Sequence, residues 1–239
     1  MTMREPLDVD AVLFDLDGTL ADTAGDLAGA LNRVRADHGR APIPVEALRP
    51  HASSGARGLL GAGMGIKPGD EGYEAARDAF LVHYAACLAE TTRLFDGIAA
   101  MLSDLEERGL AWGIVTNKAE RYTGPVVVAL GLAHRAGTIV SGDTTPHPKP
   151  HPAPLLHAAS ALRLPPSRCA YIGDDRRDID AGNAAGMPTL VASWGYLGNG
   201  DPPAEWPARG WLAAPADLSG WLPRWPADAP PAARDTRPR

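Results

Sequence analysis

The stretch Ala11-Val12-Leu13-Phe14-Asp15-Leu16-Asp17-Gly18-Thr19-Leu20 decides how this chain is read. Ala11 to Phe14 is a short, wholly apolar run, the pattern of a buried strand. Two carboxylates follow at once, two residues apart, and then a glycine and a threonine. Residues i and i+2 of an extended backbone point to the same side. Asp15 and Asp17 can therefore face one small object from the carboxyl end of the strand, where open α/β sheets hold their ligands. Taken alone, Asp15 to Gly18 also reads as a plain acidic turn. A calcium loop fits less well, because the third ligand before the glycine and the closing glutamate are missing.

Outward from this stretch the pattern changes twice. From Asp22 to Arg93 no strand is evident. Leu27, Leu31 and Val34 recur at helical spacing after a cap at Asp22 or Thr23. A short helical piece is expected at Val45 to Leu48, a glycine-rich loop from Gly61 to Asp70, and a helix from Glu74 to Glu90 with Ala76, Phe80, Tyr84 and Leu88 on one stripe. From Leu94 onward strand and helix alternate. Strands are expected at Leu110–Val115, Thr138–Val140, Cys169–Ile172 and Thr189–Ala192, with helices between them, including Ile98–Arg108, Tyr122–Leu130 and Asp178–Ala185. Repeated strand–helix units imply an α/β fold with a doubly wound parallel sheet. Gly210 to Ala213 and Ala216 to Trp221 would add a last strand and a helical turn, burying Trp211 and Trp221. The expected division is 1–21 with 94–222 as the core, 22–93 as a helical insert, and 223–239 as a disordered tail rich in proline and alanine.

Composition narrows the class. The chain has 239 residues, 45% of them hydrophobic, and a net charge of −6, so it offers no global basic surface for nucleic acid or an anionic membrane. No stretch nears the roughly 18 apolar residues of a membrane span. The two cysteines, Cys87 and Cys169, lie in apolar surroundings without metal-ligand spacing and read as inert thiols of a reducing compartment. A cytoplasmic protein, monomeric or homodimeric, is expected.

Three further polar clusters stand at candidate strand ends: Thr116-Asn117, Pro148-Lys149-Pro150, and Gly173-Asp174-Asp175 followed by Arg176-Arg177-Asp178. Each has a plain reading as a turn or solvated loop. Adjacent carboxylates directly after a core strand, however, repel one another unless a cation is present. Together the residue types meet the needs of phosphoryl transfer, which depends on positioning and charge stabilisation. Asp15 can attack phosphorus and form an acyl phosphate. Asp15 and Asp174 are natural ligands of Mg²⁺. Asp17 can act as acid toward the leaving alcohol and as base toward water. Thr116 can donate to the transferring group, and Lys149 can neutralise charge on nucleophile and phosphoryl oxygens.

In this order the four clusters resemble the motifs of the haloacid dehalogenase superfamily of phosphohydrolases, over nearly the whole chain up to Leu222. The resemblance implies a sheet ordered 5-4-1-2-3, the Asp17 carbonyl as a third metal ligand, and Asp175 acting through water or behind the ligands. It also implies phosphate contacts from Gly18, Thr19 and Asn117, and a small helical cap that closes over the site. Asp17 argues for a phosphatase, because the dehalogenases proper lack a second aspartate. Phosphonate-cleaving relatives need a cap lysine for a Schiff base, and Lys67 is the only lysine there. In detail the chain is similar to phosphoglycolate phosphatases, one branch of which acts on N-acetylmuramic acid 6-phosphate. Both substrates carry a carboxylate, with which Arg57 could pair bidentately.

His147 and His151 are four apart, but Pro148 and Pro150 forbid the helix that would aim both at one metal. His83 and Tyr84 read as packing residues, and Trp206 and Trp211 as core anchors. A receiver module would share the phospho-aspartate, the threonine and the Lys-Pro pair, but it opens on its acidic pair and has no helical cap. A non-catalytic phosphosugar-binding protein on the same fold would be expected to have lost Asp15 or Asp17.

Overall fold

In the computed structural model, residues 5–198 and 200–222 are described; the expected tail at 223–239 lies outside them. The elements run β1 (Ala11–Phe14), β2 (Ala21–Asp22), α1 (Ala24–Asp37), α2 (Val45–Leu48), α3 (Gly55–Met64), α4 (Tyr73–Ala86), β3 (Arg93–Leu94), α5 (Ile98–Glu107), β4 (Ala111–Val115) and α6 (Glu120–Ala129). Then come β5 (Thr138–Val140), α7 (Ala153–Ala161), β6 (Cys169–Gly173), α8 (Arg176–Ala184), β7 (Thr189–Ala192) and β8 (Gly210–Leu212). Six strands form one parallel sheet in the order β5-β4-β1-β6-β7-β8. This is the expected 5-4-1-2-3 order with β8 added beyond the outer strand.

β1 lies at the centre because its residues suit burial on both faces. Val12 and Phe14 enter one core cluster, Ala11 and Leu13 another, and none of the four is exposed. Its neighbours are β4 and β6, so the chain reverses its winding beside β1. Three consecutive strand ends, and the loops after them, thereby open onto one crevice.

The segment between β1 and β3 is helical apart from the two-residue strands, which pair antiparallel as Ala21 with Leu94 and Asp22 with Arg93. No strand was expected there; a ladder this short carries no readable alternation. α1, α3 and α4 bury a shared apolar cluster that also takes in Tyr122 and Tyr196 from outside the insert. The glycine-rich stretch expected as a loop from Gly61 is helical as far as Met64. Gly63 is needed for packing, since a Cβ there would stand 2.5 Å from the Leu31 side chain. Buried Asp26 fastens the returning chain: its carboxylate accepts the Thr91 amide at 2.8 Å, the Thr91 hydroxyl at 2.5 Å and the Thr92 hydroxyl at 2.6 Å.

At the far edge, β8 alternates. Gly210 and Leu212 face inward, and the Trp221 ring fills the space a Cβ at Gly210 would need. Trp211, expected to be buried, is 40% exposed, because an outermost strand turns alternate residues to solvent. Trp206 and Trp221 are the buried tryptophans of this region. Among the described residues no helix is long and apolar enough to cross a membrane.

Asp26→Ala leaves three donors without their acceptor and is expected to destabilise the fold by about 2–4 kcal/mol. Urea unfolding measures this, and a loss below about 0.5 kcal/mol would contradict the role given to Asp26.

Candidate active site

Beyond Phe14 the chain leaves the sheet in a tight turn. Leu16 O accepts the amides of Leu20 and Ala21, and Gly18 N donates to Ala21 O. Leu16 points into the core, while Asp15 and Asp17 on either side line a cavity of about 250 Å³. Gly18 is required twice over. Its φ is +88°, and an added Cβ would lie 2.2 Å from an Asp174 carboxylate oxygen. The turn can form only because nothing projects from it toward Asp174.

Lys149 is the hub. Its ammonium donates to Asp15 Oδ1 at 2.8 Å, Val115 O at 2.9 Å, the Tyr171 hydroxyl at 2.8 Å and Asp178 Oδ1 at 2.7 Å. Its backbone is held by Asn117, whose side-chain amide donates to Lys149 O and accepts from Lys149 N, both at 2.9 Å. Burial works against the charge, but Asp15 and Asp178 outweigh it and hold Lys149 above its usual pKa. On Asp15, burial pushes the carboxyl up to about 7 against the pull of Lys149, and Asp178 and Asp17 add to the rise.

Asp174 is fully buried after β6. It accepts the Thr19 hydroxyl at 2.9 Å, the Tyr196 amide at 2.8 Å and, from the helical insert, the Ser53 hydroxyl at 3.2 Å. Burial, then the charges of Asp15 and Asp178, lifts its carboxyl well above the ordinary range. Among the described residues Asp17 is anchored through one oxygen: Oδ1 takes the Thr23 hydroxyl at 2.6 Å and the Lys118 ammonium at 2.9 Å. Lys118 also donates to the Tyr84 hydroxyl of α4 at 2.9 Å, so it joins the insert to the strand ends. On Lys118 burial is again outweighed, by Asp17 and Tyr84, and its pKa rises.

The sequence-derived site is thus largely brought together, with differences. Asp15, Asp17, Thr116, Asn117, Lys149 and Asp175 all line the cavity. Asp175 caps α8 and is gripped by Arg177, which holds its carboxyl below the usual value despite burial. Gly18 and Thr19, expected to contact phosphate, do not line the cavity: Thr19 is fully buried and holds Asp174 instead. Arg57 is exposed and lies outside the cavity lining, because α3 turns it to solvent. Tyr84, expected only to pack, contributes its hydroxyl, whereas His83 pairs with Asp37 at 2.9 Å. Lys118 and Tyr171 were not anticipated as site residues, and Asp178, though part of the fourth cluster, was given no role. The position of Lys118 directly after Thr116-Asn117, and of Asp178 on the first turn of a helix after buried acids, are the signals that could have found them.

Asp15, Asp174 and Asp178 each offer a carboxylate oxygen within 4.8 Å of the others. The Lys149 ammonium pairs with Asp15 and Asp178 but not with Asp174, so negative charge stays uncompensated in a buried place. An all-oxygen donor set with that excess fits a hard divalent cation such as Mg²⁺. Asp178 gives Oδ1 to Lys149 and Oδ2 to the Asp175 amide, whereas Asp15 keeps one oxygen without a partner and Asp174 meets no cation among the described residues, so these two are the carboxylates best able to hold such an ion.

A family model for haloacid dehalogenase-like hydrolases matches residues 9–186. The chain belongs to this family. A phosphoglycolate phosphatase of Xanthomonas campestris is 42% identical over 221 residues, covering 90% of this chain and 97% of the relative. An N-acetylmuramic acid 6-phosphate phosphatase of Pseudomonas aeruginosa is 41% identical over 214 residues, covering 90% and 95%. A crystal structure of a predicted phosphoglycolate phosphatase from Haemophilus somnus aligns with a TM-score of 0.78 at 25% identity, covering 89% of this chain and 97% of that one. The matched region runs from β1 through α8, and these relatives are phosphatases.

Lys149→Met removes the ammonium paired with buried Asp15 and Asp178, in the same cluster as Asp174. Denaturant unfolding without divalent cations is expected to show a loss of about 3–5 kcal/mol, part of it recovered on adding Mg²⁺. Unchanged stability would mean that the carboxylates do not depend on this cation.

Proposed function

We propose that the protein is a Mg²⁺-dependent phosphomonoesterase that works through an aspartyl phosphate on Asp15. One observation carries the reading. Asp15 Oδ1 is tied to Lys149, and its other oxygen has no hydrogen-bond partner among the described residues, while Asp17 stands two residues on, beside the same cavity. The anchored oxygen fixes the carboxylate, and the other is available to attack.

In the first half-reaction that oxygen bonds to phosphorus, and the ester P–O bond breaks. Asp17 gives the leaving alkoxide its proton from the oxygen not held by Thr23 and Lys118. In the second half-reaction Asp17 takes a proton from water. The water oxygen bonds to phosphorus, the bond to Asp15 breaks, and inorganic phosphate and the free carboxylate result. Lys149 keeps Asp15 correctly aimed, and the Thr116 hydroxyl, at the end of β4, is the donor for a phosphoryl oxygen. A bound Mg²⁺, held by Asp15, Asp174 and the Asp17 carbonyl with Asp175 nearby, would offset the charge that repels a phosphate dianion from a carboxylate.

The insert, residues 22–93, acts in this reading as a cap over a core of 1–21 and 94–222. It moves on the β2–β3 ribbon and excludes water when shut. Substrates are small phosphate esters that also carry a carboxylate: phosphoglycolate, with N-acetylmuramic acid 6-phosphate as the alternative, as the names of the relatives suggest. Two buried free thiols suit a reducing cytoplasm.

Hydrolysis of 4-nitrophenyl phosphate tests the reading. Turnover is expected with Mg²⁺ and is expected to be lost on chelation. Asp15→Asn should lower kcat by at least about 10³-fold without an earlier unfolding midpoint. Appreciable turnover in that variant would remove the covalent mechanism, and a single stoichiometric phosphorylation without turnover would favour a receiver.

A further inference from the structure

Two arginines on the cavity wall make no hydrogen bond to a carboxylate among the described residues. Arg77, on α4 of the insert, has its nearest carboxylate oxygens at 3.7 Å on Asp78 and 3.8 Å on Glu74, beyond hydrogen-bond reach. Arg121, in the first turn of α6, lies with its guanidinium 4.7 Å from the Tyr122 ring centroid and meets no carboxylate among the described residues. The other cations of the same wall are committed: Lys149 to Asp15 and Asp178, Lys118 to Asp17, Arg177 to Asp175.

Contacts lead outward from the reacting carboxylates to these arginines. Lys118 joins Asp17 to the Tyr84 hydroxyl; the Tyr84 ring is tilted against Tyr122 with centroids 5.4 Å apart; Arg121 covers Tyr122. Along α4, Arg77, Phe80 and Tyr84 share one face at i, i+3 and i+7, and all three line the cavity. Seven residues of helix put the Arg77 backbone about 10 Å from that of Tyr84. Helical side chains lean toward the N-terminus, which carries the Arg77 head further from Tyr84. A two-carbon acid held at Asp15 is too short to cross the aromatic strip and reach both arginines.

We propose that Arg77 and Arg121 form the seat for a carboxylate at the far end of a phosphate ester whose carbon skeleton has the size of a sugar ring. Phe80, Tyr84 and Tyr122 supply the apolar surface on which that ring lies. This rests on the phosphatase reading and goes beyond it by deciding for the longer of the two substrates named there and by naming the residues that select it. One arginine belongs to the insert and the other to the core, so the carboxylate also draws the two together, and the bound substrate holds the cap shut.

The test compares N-acetylmuramic acid 6-phosphate with N-acetylglucosamine 6-phosphate, which share ring and phosphate and differ in the lactyl ether that carries the carboxylate. With Mg²⁺ the ratio of their kcat/KM values is expected to be about 10- to 100-fold in favour of the acid, the scale of charge-assisted hydrogen bonds. Arg77→Met and Arg121→Met should each reduce the ratio, and the double variant should bring it near one. Arg57→Met, outside the cavity, should keep it. Calorimetric affinities of both esters for Asp15→Asn protein, with and without the two substitutions, should follow the same order, independently of turnover. Equal kcat/KM for the two esters, a ratio retained in the double variant, or faster hydrolysis of phosphoglycolate than of the ring acid would overturn the inference alone. If the wild-type protein hydrolyses neither sugar ester nor 4-nitrophenyl phosphate, the phosphatase reading fails and takes the inference with it.

Discussion

The Lys149 ammonium meets oxygens from four places: Asp15 beyond β1, Val115 at the end of β4, Tyr171 in β6 and Asp178 on the first turn of α8. An ammonium buried this deeply is unfavourable unless its protons are all taken up, and carboxylates buried at a strand end are unfavourable without a cation. Each side therefore needs the other. The three central strands end where they do, and face one crevice, because that exchange of charge fixes their relative height. Tyr171 adds a second tie, since its hydroxyl also donates to Val115 O. The same network leaves one Asp15 oxygen without a partner among the described residues, and in the proposed mechanism that oxygen is the nucleophile.

Around this hub the insert is attached by polar contacts that end on the carboxylates of the candidate site or on cations paired with them. Ser53 reaches Asp174, Tyr84 reaches Asp17 through Lys118, and the Ser53 carbonyl accepts Arg177. Opening the insert would break all three at once. In the proposed mechanism closure and completion of the site would be one event, which suits a reaction that must keep water from the acyl phosphate until the alcohol has left.

Much of this was legible in the chain because the signals were local. A four-residue apolar run bounded by Asp-x-Asp-Gly-Thr is a strand and a turn by chemistry alone, and the regular strand–helix alternation after Leu94 forces a parallel sheet. Asp15, Asp17, Lys149 and Asp174 could be named because each stands at the end of a recognisable strand or between prolines. What was missed depends on contacts distant in sequence. Tyr84 looks like one more member of an apolar stripe until Lys118, 34 residues away, meets its hydroxyl. Gly63 reads as loop until Leu31 of another helix occupies the place of its side chain. Arg57 and Arg77 are equally plausible carboxylate partners by composition, and only the rotation of their helices separates them. Trp211 reads as core until β8 proves to be an outer strand.

The central claim is that Asp15 carries the phosphoryl group. Enzyme quenched during steady-state turnover and reduced with borohydride would convert an aspartyl phosphate to homoserine, which peptide mass spectrometry locates. The account predicts homoserine at position 15 and nowhere else, absent without substrate. Reduction at another aspartate, or an unmodified Asp15 in enzyme that is turning over, would contradict it.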